Sequence, residues 1–309
     1  AILEAIGCKP PLLDLAMQLG EGTGALAAWP LVRLASRILF EMTSFEEGNV
    51  TNSTALLGTA GGGMKVPHLR IGTTSYILAD DILPNVRYLA PMVDDIELVL
   101  FESEEMSNLP SKEVVEELAV LARQHDLTYT VHFPLDIQPG SADPALRSAC
   151  VASILSIIAL TRNLKPFGYV LHLTPELYGT VPSPEVERWH DCLGKTLQSL
   201  FEQTDVSPRM FCIETLSYPF ACVQDLVERY DLSVTLDIGH VWLMGYDSRK
   251  VLDSLLERTR ICHLHGVKGK TDHLGLDQGD GEAIEYFLKR LVLQGQRDRI
   301  ERVLTLEVF

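Results

Sequence analysis

Long apolar runs, paired cysteines and positive charge are all scarce in this sequence of 309 residues. The longest strongly apolar run, Val151 to Leu160, falls well short of the roughly 20 residues that a bilayer span needs. No charged-then-apolar signal segment opens the chain, so no membrane association is expected. The six cysteines, Cys8, Cys150, Cys192, Cys212, Cys222 and Cys262, form no CxxC pair. That usage reads as a reduced, cytoplasmic protein. In such a compartment the sequon Asn49-Val50-Thr51 carries no meaning. Lys and Arg number 26 against 42 Asp and Glu, a net charge of -16. Nucleic acid is therefore disfavoured as a partner for the surface as a whole, although a local basic site is not excluded. No Ser-His-Asp elbow, Walker loop or haem motif is present.

Apolar residues make up 46% of the chain, enough to fill a sizeable core. The length suits one large α/β barrel plus an appendage. Residues 1–50 read as helical, with Leu12, Leu15 and Leu19, then Leu31, Leu34 and Ile38, at helical spacing. Gly20-Glu21-Gly22-Thr23-Gly24 separates the two runs. Residues 51–66 are small, polar and glycine-rich and read as a linker. The chain starts without Met and stops on a strand-like run, as a piece of a longer product does.

From residue 67 to 309 short β-branched runs alternate with amphipathic helical stretches. Strands are expected at Leu69–Thr73, Ile96–Phe101, Tyr129–Phe133, Tyr169–Leu173, Met210–Glu214, Ser233–Asp237, Ile261–His265 and Val303–Val308. Helices are expected over Ser111–His125, Pro144–Asn163, Ser183–Gln203, Cys222–Tyr230, Ser248–Glu257 and Glu282–Gln294. Eight strands, all but the last followed by a helix, predict a (β/α)8 TIM barrel. The alternative is an open doubly wound sheet, but Gly72-Thr73-Thr74-Ser75 is not the glycine-rich phosphate turn that usually follows its first strand.

Catalytic residues of such barrels lie at the C-terminal strand ends. Six consecutive strands here end in an imidazole or a carboxylate: His132, His172, Glu214, Asp237 with His240, His263 with His265, and Glu307. A ring of this kind is expected to hold a divalent metal, since no single helix supplies so many converging donors. The mixture suits Zn²⁺, Mn²⁺, Co²⁺ or Fe²⁺ and is too rich in nitrogen for a typical Ca²⁺ site. Glu97 and Glu102 flank the second strand and read as a solvated face, with Glu102 the better substrate-binding candidate. The stretch Lys268–Gly281 reads as a long loop at the same rim, where Lys268, Asp272, His273 and Asp280 are available to ligand or substrate. Strand alternation turns Cys262 away from the ring, so it is not read as a nucleophile.

The run Glu214, then Asp237-Ile238-Gly239-His240, His263-Leu264-His265 and terminal Glu307 resembles the xylose isomerase-like and endonuclease IV-like TIM barrels, over about 240 residues. The resemblance implies a metal-dependent enzyme with Glu214, Asp237, His263 and Glu307 as central ligands and Glu214, Glu307 and His240 in catalysis. It implies further metal ligands in His132, His172 and His273, with His265 able to replace His263. The nuclease branch carries a His-Leu-Asn-Asp run where this chain has His263-Leu264-His265-Gly266, so one or two ions are expected, Zn²⁺ or Mn²⁺ foremost.

The stretch Leu12 to Ala25, with Leu39-Phe40-Glu41-Met42-Thr43-Ser44-Phe45, is similar to the C-terminal part of nicotinate-nucleotide–dimethylbenzimidazole phosphoribosyltransferases. In that family the residue matching Glu21 is the base that activates the benzimidazole; here it is read as vestigial, because 50 residues cannot build a nucleotide site alone. The joining of the two pieces resembles the cobamide-remodelling hydrolases, as do Leu98 to Glu102 and Ser107 to Pro110. It implies a small-molecule substrate, a cobamide, whose lower-ligand nucleotide is removed to leave cobinamide phosphate. The alternatives are a sugar isomerase or epimerase, an abasic-site endonuclease, a cobamide-binding module with an inert barrel, and part of a transferase fusion. A homo-oligomer is compatible with all of them.

Overall fold

The computed structural model describes residues 66–102 and 106–308. The expected helical segment 1–50 with Glu21, and the linker up to residue 65, lie outside the described residues. Eight strands close into an all-parallel barrel: β1 (Leu69–Thr74), β2 (Asp95–Val99), β3 (Thr128–His132), β4 (Gly168–Leu171), β5 (Phe211–Glu214), β6 (Ser233–Asp237), β7 (Thr259–Leu264) and, after a hairpin, β10 (Arg302–Leu306). β10 pairs with both β7 and β1, which seals the ring. This is the expected (β/α)8 barrel.

The outer helices are α1 (Ile82–Leu89), α2 (Lys112–His125), α3 (Pro144–Thr161), α4 (Val186–Phe201), α5 (Gln224–Arg229), α6 (Ile238–Leu243), α7 (Ser248–Leu255) and α8 (Gly281–Asp298). Local chemistry starts them. Ser111, Asp143, Asp247 and Asp280 each accept a backbone N–H from the first turn of the helix that follows. Sequence reading missed α1 and α6, which are too short to show a clear helical period. The expected loop from Lys268 is instead largely ordered. An antiparallel hairpin, β8 (Gly266–Lys268) and β9 (Thr271–Leu274), is followed by a 3-10 turn. Asp280 caps α8, its Oδ1 accepting the Glu282 and Ala283 N–H groups.

One helix departs from the expectation that no segment could cross a membrane. Pro144–Leu164, 21 residues, is long and apolar enough by length and composition. Counting strongly apolar runs alone missed it because Arg147 stands in its first turns. Its buried residues Cys150, Val151, Ile154, Ile157, Ile158 and Thr161 fall at helical spacing on one face. That is how a helix covers a barrel.

Inside the barrel the apolar filling is thin. Val170, Cys212, Ile261 and Val303 form a small cluster of their own, separate from the large core between strands and helices. Two residues further along these strands, on the same face, come His172, Glu214, His263 and Thr305. The lumen thus changes from apolar to polar towards the C-terminal mouth.

At the start of β10, Arg302 is fully buried. Its guanidinium donates to both Asp298 carboxylate oxygens, at 3.1 and 2.6 Å, and to the carbonyls of Thr259, Leu256 and Ile300. Burial works against the Asp298 carboxylate, but bonds from Arg302, the Ile300 N–H and Gln294 hold its pKa down at about 2. A depressed carboxyl stabilises the fold above its ordinary value, about 4, and that contribution is lost as pH falls towards 2. Asp298→Ala should destabilise the protein by about 3 kcal/mol in urea unfolding at neutral pH, because it strands a buried cation. A cost below about 1 kcal/mol would mean the carbonyls satisfy Arg302 unaided.

Candidate metal centre

The strand frame delivers the ring. β3, β5 and β6 end on His132, Glu214 and Asp237; His172 and Glu307 each follow the last residue of β4 and β10; His263 and His265 straddle the end of β7. Four sets of three residues bring one donor atom each to within 4.8 Å of one another: His132, His172 and Glu214; Glu214, Asp237 and His263; Glu97, His263 and Glu307; and His240, His265 and His273. Glu214 and His263 each belong to two sets, so the sets do not count ions.

Glu214 is the hub. Its Oε2 lies 2.8 Å from His172 Nε2, 3.4 Å from His132 Nε2 and 3.6 Å from His263 Nδ1. Burial would raise its pKa, but the facing imidazoles hold it well below the ordinary carboxylate range. Asp237 is lowered in the same way, against burial, by His240 and His265. Burial works against a charged His132, yet its bond to Glu214 and the surrounding carboxylates push it up to about 9. His172 goes the other way: burial outweighs Glu214 and lowers it.

Ring tautomers follow from the partners. A carbonyl only accepts, so a nitrogen bonded to one carries the proton. His132 Nδ1 lies 2.7 Å from the Phe133 carbonyl, His240 Nδ1 2.9 Å from that of Thr215, and His273 Nδ1 3.2 Å from that of Glu307. In the neutral form of each ring the lone pair then lies on Nε2. His265 differs: its Nδ1 accepts the His273 N–H at 3.0 Å, and its Nε2 lies 3.1 and 3.3 Å from the two Asp237 oxygens. To act as a ligand through Nε2 it must give up that bond to Asp237.

Two backbone features make the imidazole set. His273 adopts φ of 51°, a left-handed conformation that turns its ring to the mouth. At Gly239 a Cβ would lie 2.1 to 2.5 Å from the His265 ring, so only glycine lets that imidazole lie against α6. The glycine of the Asp-Ile-Gly-His run thus has a packing reason.

One expectation is corrected. Glu97, read as a solvated face, is 0% exposed, and its Oε2 lies 2.9 Å from His263 Nε2. Glu102 is exposed, bridges to Ser107, and lines a cleft of about 250 Å³ with Asp136, Gln138 and Leu146, outside the four donor sets. Asp272 joins none of those sets either; after burial, its charge is what raises the Tyr178 phenol. Lys268 is exposed on β8, at the rim. Cys262 packs in the outer core, where burial pushes its thiol up to about 12, in keeping with its reading as no nucleophile.

The donors fit a divalent ion. His263 Nδ1 and Glu97 Oε1 are buried without a hydrogen-bond partner, and four buried carboxylates crowd one mouth. Because carboxylates hold His132, His240, His263 and His265 above their ordinary values, ion uptake must displace protons. Zn²⁺ binding at pH 7 should release protons, seen as calorimetric heats that vary with buffer ionisation, and affinity should rise between pH 6 and 9. A pH-independent affinity would contradict the charge arrangement. Gly239→Ala should displace His265 from Asp237 and weaken Zn²⁺ binding roughly tenfold or more. Unchanged binding would show that the ring position is immaterial.

Known proteins divide along the chain. Residues 1–50 match the phosphoribosyltransferase family. Over 49 residues the chain is 57% identical to the nicotinate-nucleotide–dimethylbenzimidazole phosphoribosyltransferase of Thermus thermophilus, covering 16% of this chain and 14% of that enzyme. It is 56% identical over 48 residues to the Desulfotalea psychrophila enzyme, again 14% of its length. The chain thus spans only a small part of these curated relatives. The barrel superposes on a D-tagatose 3-epimerase-like protein with TM-score 0.61 and 20% identity, covering 77% of this chain and 90% of the other. Against endonuclease IV from Thermus thermophilus the TM-score is 0.55 and the identity 23%, covering 78% and 92%. These likenesses speak to the fold. Residues 93–309, more than half of the chain, match the xylose isomerase-like TIM barrel family, and the chain belongs to it.

Proposed function

We propose that the barrel is a metal-dependent hydrolase that removes the lower-ligand nucleotide from cobamides. Water cleaves the bond between phosphate and ribose, giving α-ribazole and cobinamide phosphate. The observation that carries this reading is the joining, in one chain, of a segment 57% identical to the lower-ligand transferase with a barrel whose mouth gathers carboxylates and imidazoles. Glu214, Asp237, His263 and Glu307 would hold a divalent ion, which would supply Lewis acidity at the phosphate.

The chain's own groups handle protons. Glu307, with 9% of its side chain exposed, is the most accessible ring carboxylate and accepts a proton from the attacking water. His240, 18% exposed and raised by Asp237 and Glu214 against burial, gives a proton to the departing ribose oxygen. Glu214 holds His132 and His172 in place. The exposed Lys268 and Tyr178 stand at the rim, where an anionic substrate with an apolar body meets the protein.

Incubation of the purified chain with a cobamide and Zn²⁺, Mn²⁺, Co²⁺ or Fe²⁺ should release α-ribazole, read by chromatography, and a chelator should stop it. No release with any of these ions under reducing conditions would sink the proposal. Epimerisation of a ketohexose instead would favour a sugar epimerase, and nicking of abasic DNA a nuclease. Glu214→Gln and Asp237→Asn should each lower turnover by roughly 10²–10³-fold. Asn still caps α6 as Asp237 does through the His240 N–H, so thermal unfolding should hardly move. Collapse of the fold in both variants would assign these residues a structural role.

A further inference from the structure

We propose that Glu97 is a positioning residue: it turns His263 so that Nδ1, and not Nε2, faces the oxygens of Glu214, Asp237 and Glu307. The argument is one of hydrogen-bond polarity. A carboxylate only accepts, so the 2.9 Å contact from Glu97 Oε2 places a proton on His263 Nε2. The lone pair of a neutral ring then lies on Nδ1. That atom stands 3.3 Å from Glu307 Oε2, 3.6 Å from Glu214 Oε2 and 3.9 Å from Asp237 Oδ2. It is buried and has no hydrogen-bond partner of its own. An ion among these oxygens would find Nδ1 already aimed at it.

His263 needs such a partner more than its neighbours do. His132, His240 and His273 are pinned through Nδ1 by backbone carbonyls, so the chain itself orients them. His263 presents the opposite nitrogen, and the contact that fixes this comes from a side chain three strands away in the closed barrel, across β10 and β1. A carboxylate in this place also makes the ring a stronger donor than a carbonyl would. Glu97 is itself held rigidly, fully buried in mid-strand with Thr74 and Thr130 as its ladder neighbours.

The competing arrangement makes Glu97 a ligand. Glu97, His263 and Glu307 also bring donor atoms to within 4.8 Å of one another. An ion there would take His263 Nε2 and break its bond to Glu97. The two arrangements differ in how many ions the chain loses when Glu97 changes.

This inference rests on the metal-centre reading but not on the cobamide substrate. The full chain, stripped with a chelator, is titrated with Co²⁺ while visible absorption and stoichiometry are followed. Glu97→Ala should weaken Co²⁺ binding roughly 10–100-fold at unchanged stoichiometry and alter the absorption bands. Glu97→Gln keeps an acceptor for Nε2–H, so it should keep the wild-type bands with a smaller loss. Its thermal unfolding without metal should match wild type. Three results would overturn the proposal: loss of one Co²⁺ equivalent in both variants, equal weakening in both, or no change in either. Wild-type protein that binds no Co²⁺ would overturn it together with the metal-centre reading, whereas binding without α-ribazole release would leave it standing and defeat only the substrate.

Discussion

Four carboxylates, Glu97, Glu214, Asp237 and Glu307, are buried together at one end of a closed barrel, and their mutual repulsion has to be answered. Removing even one unpaired carboxylate from water costs several kcal/mol. The protein answers with imidazoles, packed so that each of the four carboxylates faces at least one ring nitrogen. Protonated imidazoles balance the charge in one way and a divalent ion in another. The same residues therefore serve as counter-ions or as ligands, and the exchange of protons for metal is built into the site.

Much of this was legible because strand alternation is a strict period of two. His132, Glu214 and Asp237 were found by reading the last polar residue of each strand, and they are the strand ends observed. The period also explains the error at Glu97. In β2 Ile96 and Leu98 alternate with Asp95 and Glu97, which in an ordinary antiparallel sheet means that the polar face meets water. In this closed barrel the Ile96 and Leu98 face packs in the core under the helices, and the Asp95 and Glu97 face meets the lumen. Once the barrel was inferred, Glu97 belonged with the ring, two residues above Asp95 on the same face.

Other features had no signal of this kind. His273 depends on a hairpin whose strands are three and four residues long, too short for a period to register. Its left-handed backbone is a tertiary outcome. The tautomers of His132, His240 and His273 depend on which carbonyl lies within reach, and that follows from barrel closure rather than from neighbours in sequence. Glu102 lies beyond the end of β2 at Val99, exposed and bridged to Ser107.

Charge also orders what happens at the mouth. The chain carries a net charge of -16, and four of its carboxylates are buried in the ring. An anionic phosphodiester approaching such a mouth is repelled unless positive charge is supplied there first. The basic groups of the described rim do little to supply it: Lys268 and Lys270 stand on the exposed hairpin, outside the donor sets. Under the proposed activity, balancing the carboxylates, by protonated imidazoles or by an ion, is a condition of binding the phosphodiester as well as of cleaving it. Under the proposed activity, metal and substrate should bind with positive coupling, the ion raising affinity for the phosphodiester and the phosphodiester raising affinity for the ion by the same factor.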